Sequence, residues 1–182
     1  EDAGDHYRYR GSSPPSPIPS TLRDSLMARL DRLSPAVKSI AQVGAVIGRE
    51  FSYELISALV ALPKHVLDDG LSQLGEADLT FRRHNDQGAK RDADTDTIYV
   101  FKHALMRDAA YDSLLKSRRR ELHHEIARWF ERERANDLSP HLALLAHHWE
   151  LAGDKLRATE YLEREAIREF KRGASDPTEI DV

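Results

Sequence analysis

Between Leu22 and Leu74 apolar residues recur every three or four positions, and the breaks in phase mark out four helices. Pro19, Ser20 and Thr21 open the first, whose stripe is Leu22, Leu26, Met27, Leu30 and Leu33. Ser34-Pro35 restarts the chain, since serine is a good N-cap and proline a good first helical residue. The second helix carries Val37, Ile40, Ala41, Val43, Ala45 and Val46 and stops near Gly48. Ser52 caps a third, shorter helix through Val60. Pro63 begins a fourth, with Val66, Leu67, Leu71 and Leu74 on one face.

The period then changes. Leu79–Arg83 (LTFRR) alternates as a strand does, and so does Ile98–Lys102. Between them His84–Thr97 is polar, with Gly88 and six charged residues, and reads as a loop or wing tip. Helices followed by two strands and a long loop make the order of a winged helix. Helical stretches are then predicted over about 103–117, 119–135 and 140–152, and from about Asp154 to Lys171. At Tyr99–Leu115 (YVFKHALMRDAAYDSLL) a strand runs into a helix with no turn residue between them, which fixes the direction of His103 at the joint.

Composition narrows the field. The chain has 182 residues, 40% hydrophobic and 32% charged, which suits a helix-rich globular fold. Its net charge of -4 gives no general attraction to nucleic acid or anionic lipid. With no cysteine there are no disulfides and no thiolate metal sites, and a cytoplasmic setting is expected. No apolar run approaches the roughly 20 residues of a membrane span, and no signal-peptide pattern opens the chain. The start at Glu1 and the polar end suggest a piece of a longer protein.

Three stretches carry a resemblance. IPSTLRDSLMARLDRLSPAVKSIAQVGAVIGREFSYELI, LDDGLSQLGEADLTFRR and YVFKHALMRDAAYDSLLKSRRRELHHEIARWFE resemble one region of bacterial STAND-type signalling ATPases, in particular those fused to class III adenylate/guanylate cyclase domains. In that family the region follows an AAA-like ATPase module, forms a winged helix and leads into tetratricopeptide-type repeats. HLALLAHHWELAGDKLRATEYLEREA is similar to the family's first repeat, with Trp149 where tyrosine is usual and Gly153-Asp154 at the turn. Such arrays need about three or more units to be stable. The resemblance implies ATP or ADP with magnesium in the longer protein, and as partners the upstream ATPase domain and downstream repeats of the same chain.

It also implies a role for His103: in related ATPases a histidine at this joint contacts the β-phosphate of ADP and locks a closed state. A helix N-terminus favours anions, and histidine changes charge near neutral pH. The plainer reading is an imidazole packed on the hairpin and bonded to backbone. Arg107 and Asp108, one turn on, either support His103, reach the ATPase module or form a surface pair of little consequence. No GxxxxGK[ST] phosphate loop is present, so the chain alone is not expected to bind ADP tightly.

Rival chemistries fare worse. The helix that would read DNA, Pro63–Asp78, carries Lys64 and His65 but also Asp68, Asp69, Glu76 and Asp78, and phosphate contacts dominate such affinity. Lys116–Arg120 (KSRRR) is the one basic cluster, expected between two helices as a solvated turn or a contact to an acidic neighbouring domain rather than a nucleic-acid patch. His123-His124-Glu125 lacks the second histidine of HExxH. His141 and His148 are seven apart, about 10 Å along a helix, too far for one metal. These histidines are expected at interfaces and on the surface, and no nucleophile-plus-base pattern is visible.

The expected fold is therefore mainly α: residues 1–17 a disordered linker, 18–117 a winged helix with a two-stranded β-hairpin, 118–137 a connecting helix, 138–172 a tetratricopeptide-like helix pair, and 173–182 a disordered tail. The expected function is regulatory, without catalysis by this chain itself. It couples the nucleotide state of an ATPase to repeats and an output. The alternatives are an interaction scaffold without nucleotide sensing, or part of a STAND-type transcriptional regulator.

Overall fold

The structure is a computed structural model that describes residues 20–84 and 97–174. The expected linker 1–17, the loop between the strands and nearly all of the expected tail lie outside them. Helix α1 (Ser20–Asp31) is followed by α2 (Pro35–Ile47), strand β1 (Glu50–Ser52), α3 (Tyr53–Leu59) and α4 (Lys64–Glu76). Strands β2 (Thr80–His84) and β3 (Thr97–Phe101) come next, then α5 (Ala104–Asp112), α6 (Lys116–Glu133), a 3-10 turn (Ser139–His141), α7 (Leu142–Ala152) and α8 (Lys155–Ala174). The molecule is mainly helical, with one small antiparallel sheet.

Local chemistry sets these boundaries. Ser34 Oγ accepts the Val37 amide at 3.4 Å and Ser52 Oγ the Leu55 amide at 3.2 Å, so both predicted N-caps form. α2 ends at Gly48, whose φ of 152° suits glycine and turns the chain into β1. Gly153, at φ 93°, ends α7 in the left-handed conformation and lets α8 fold back.

Three strands form where two were expected. The sheet order is β1-β3-β2, with Phe51 opposite Tyr99 and Arg82 opposite Tyr99 on the other side. β1 is three residues long, too short to show a period of two, and its partner strand lies some fifty residues away. It is held by burial of Phe51, which stacks on Tyr99 at 5.7 Å and packs against Gly44, and by the Glu50–Arg83 ion pair across the sheet at 2.5 Å.

The predicted helix over 103–117 also ends early, at Asp112. Ser113 Oγ donates to the Ala110 carbonyl at 2.6 Å, and Leu115 is extended. The basic run Lys116–Arg120 is thus not a turn but the first turn of α6. Cations there oppose the helix dipole. Acidic neighbours offset the cost: Arg118 pairs with Glu121 at 3.0 Å and Glu125 at 3.2 Å, and Arg119 with Asp112 at 3.3 Å.

One core runs through the whole. Ile40, Ala41, Leu55, Ile56, Leu67 and Leu74 fill the space among α2, α3, α4 and the sheet. Leu122 and Ile126 of α6 continue it, and Leu145 and Trp149 of α7 complete it. α6 packs on α2 and α3 and also on α7, against which α8 lies. Glu54 on α3 is bonded by Arg134 just after α6, at 2.6 Å.

Candidate functional site

His103 is the N-cap residue of α5. Its backbone is extended (φ -130°, ψ 131°) and its carbonyl accepts the Met106 amide at 3.0 Å. The imidazole makes no capping hydrogen bond and is exposed, so it is not packed on the hairpin. Arg107 and Asp108 pair with each other, through Arg107 Nε to Asp108 Oδ1 at 3.0 Å, and make no hydrogen bond to the His103 ring.

The surroundings of His103 come from three further elements. Lys102, at the end of β3, forms an ion pair with Asp78, and its amide is bonded to the Leu79 carbonyl at 3.0 Å. Asp78 follows α4 in a left-handed conformation (φ 61°), which aspartate tolerates better than most residues. From α1, Arg29 donates to the Ala77 carbonyl at 2.9 Å. The hydrogen bond from Lys102 holds the Asp78 carboxyl below its usual range, helped by the charges of Arg29 and His103. Lys102 is thus paired with the Asp78 carboxylate near the open end of α5, and Arg29 and His103 act on it only through their charge. Neither Arg29 nor Lys102 follows from motif or spacing, because the helices and strand that carry them meet only in the folded chain.

A second constellation lies inside. His123 on α6 and His148 on α7 are each 1% exposed, and their Nδ1 atoms face each other at 2.8 Å. Tyr111 Oη lies 3.1 Å from His123 Nε2, so a hydrogen-bonded chain links α5, α6 and α7. Among the described residues His148 Nε2 is buried without a partner. Burial pushes the His123 imidazole down to about 4 and the His148 imidazole to about 3, and neighbouring histidines add to both shifts. The expectation that these histidines lie at interfaces and on the surface divides: His123 and His148 are interior, His147 is exposed, His124 stands edge-on to Trp149, and His141 lies against Phe130. The signal was present, since His123 shares the stripe of Leu122 and Ile126, and His148 that of Leu145 and Trp149.

A cleft of about 480 Å³ opens between α4 and the sheet, lined in part by Tyr53, Asp68, Glu76, Thr80, Arg82 and Tyr99. Tyr53 donates to Asp68 at 2.7 Å, and Lys64 to Asp68 at 3.0 Å. Burial raises the Asp68 carboxyl, but the bonds from Tyr53 and Lys64 outweigh it and hold the group below its usual range. The cleft does not include His103, Arg107 or Asp108. Among the described residues no group of three or more histidine and acidic side chains could hold a metal ion, and no helix is long and apolar enough to cross a membrane.

Comparison with family models, with curated proteins and with solved structures gives no match to this chain.

Proposed function

We propose that this chain is a regulatory module in which a winged helix (18–117), a connecting helix and a tetratricopeptide-like helix pair relay the nucleotide state of an upstream ATPase domain to downstream repeats and an output. The helix–strand–helix–helix–strand–strand order of α2 to β3 supports the winged-helix reading, and the antiparallel α7–α8 pair turning at Gly153 supports the repeat reading. The observation that carries the functional reading is the exposed His103 at the start of α5, beside Arg29 and Lys102. Of these, His103 at the start of the helix offers a donor to an anion such as the phosphates of ADP, while Lys102 is already paired with Asp78 and Arg29 with the Ala77 carbonyl. ADP held by the ATPase domain would keep the two domains closed through His103, and its exchange for ATP with magnesium would release them. Arg107 and Asp108, paired with each other, would stiffen this turn rather than touch the nucleotide.

Calorimetry tests this. The chain alone should show no low-micromolar binding of ADP. In the longer protein, His103→Ala should weaken ADP binding and raise basal output, and unchanged ADP affinity with unchanged output would overturn the reading.

A scaffold role is the second reading, favoured by the outer face of α8, where Leu156, Ile167 and Phe170 are 73%, 55% and 78% exposed. A third, DNA binding within a transcriptional regulator, has less support, because Lys64 is tied to Asp68 and α4 also carries Asp69 and Glu76.

A further inference from the structure

We propose that the facing imidazoles of His123 and His148 form a proton-operated latch, which releases the α7–α8 pair from α6 when both rings become charged while the rest of the fold stays intact. Two nitrogens 2.8 Å apart can share one proton between them. In the neutral pair one Nδ1–H donates to the other Nδ1. The less costly direction has His148 donating, because His123 Nε2–H then donates to Tyr111 Oη and only a bare lone pair is left on the buried His148 Nε2. A charged imidazole carries N–H at both nitrogens. With both rings charged, two N–H groups would point at each other across a gap that holds one hydrogen.

Among the described residues nothing around the pair offsets such charge. From α5 the facing polar group is Tyr111. On α6 it is Arg119, whose guanidinium lies 4.7 Å from the Tyr111 ring centroid and whose counter-ion is Asp112. On α7 it is His147, with its ring 6.2 Å from that of His123. Arg119 and His147 both act to disfavour a proton on the pair, and no carboxylate contributes in its favour. The folded joint therefore binds protons less readily than an open one. Stability of the joint is fully present above the ordinary histidine value of 6.5 and is lost as pH falls from there toward about 4.

The opening is local because of how the helices are shared. α6 is anchored on α2 and α3 independently of α7, and by Arg134 to Glu54. The α7–α8 pair reaches the rest chiefly through α6. The proposal does not depend on the nucleotide-relay reading.

Hydrogen exchange measured on the intact chain from pH 7.5 to 4.5, corrected for intrinsic rates, tests it. The expected result is that α7 and α8 amides lose protection at a higher pH than those of α2, in a step that takes up about two protons. His148→Gln, which bonds but does not titrate, should reduce that to about one proton and shift the step to lower pH. Should this variant fail to fold, His123→Gln makes the same test. Protection of α7 that persists to pH 4.5, loss of α2 and α7 protection at one pH, or a variant with the wild-type profile would each overturn the latch.

Discussion

Gly70 on α4 lies so close to Ile40 on α2 that a Cβ on the glycine would stand 2.4 Å from Ile40 Cδ1. Both residues are buried, so the contact sets how closely the two helices approach. Gly70→Ala should gain about 1 kcal/mol of helix propensity and lose about 1–3 kcal/mol to overpacking, a net destabilisation. Ile40→Val removes the colliding methyl. The double variant should be at least as stable as Gly70→Ala alone in urea unfolding, whereas additive losses would show that the contact relaxes elsewhere.

Glu131 ties three helices together. Its Oε1 accepts Trp149 Nε1 at 3.0 Å and Tyr161 Oη at 2.9 Å, and its Oε2 lies 3.6 Å from Arg157. Glu131→Leu leaves the indole N–H of a fully buried tryptophan unpaired and should cost about 1–3 kcal/mol. Glu131→Gln keeps an acceptor and should cost less. Urea midpoints followed by tryptophan emission give the ranking, and equal losses would contradict it.

Arg134 and Glu54 join the end of α6 to α3 with side chains about one-third exposed, so solvent screens them in part. A double-mutant cycle with Arg134→Met and Glu54→Gln should return a coupling of about 0.5–1 kcal/mol, falling in 1 M salt. Coupling insensitive to salt would contradict a screened ion pair, and the cost of Arg134→Met in the Glu54→Gln background reports separately on packing of Arg134 over Trp129, 5.1 Å from the ring centroid.

Ser52 belongs to β1 and also caps α3. Ser52→Ala should cost ~1 kcal/mol and Ser52→Asp almost nothing, because aspartate restores the acceptor for the Leu55 amide. The same denaturant slope for all three proteins would show that only stability has changed.

The parts of this fold that were legible are those written locally. Ser34-Pro35, Ser52 and Gly153 each act within a few residues, and helical stripes such as Val37, Ile40 and Ala41 report their own buried face. β1 was missed because three residues carry no period and the strand exists only through Phe51, Gly44 and β3. The α5–α6 boundary was misplaced because Arg118 and Arg119 are neutralised by Asp112, Glu121 and Glu125, which outweighs the helix dipole. At the candidate site, His103 could be placed from the strand-to-helix joint alone. Its neighbours Arg29, Lys102 and Asp78 come from separate elements, and the pairing of His123 with His148 is set by the approach of α6 and α7.

The eighteen residues of α6 form a rod about 27 Å long with no glycine or proline inside it. One flank lies on α2 and α3, the other on α7. Such a rod works as an axle. With no kink site inside the rod, a tilt imposed at the α5 end would be passed along the helix toward α7 rather than taken up by a sharp bend. Motion of the terminal hairpin relative to the helix-and-sheet body then reduces to the few rigid-body freedoms of a single helix.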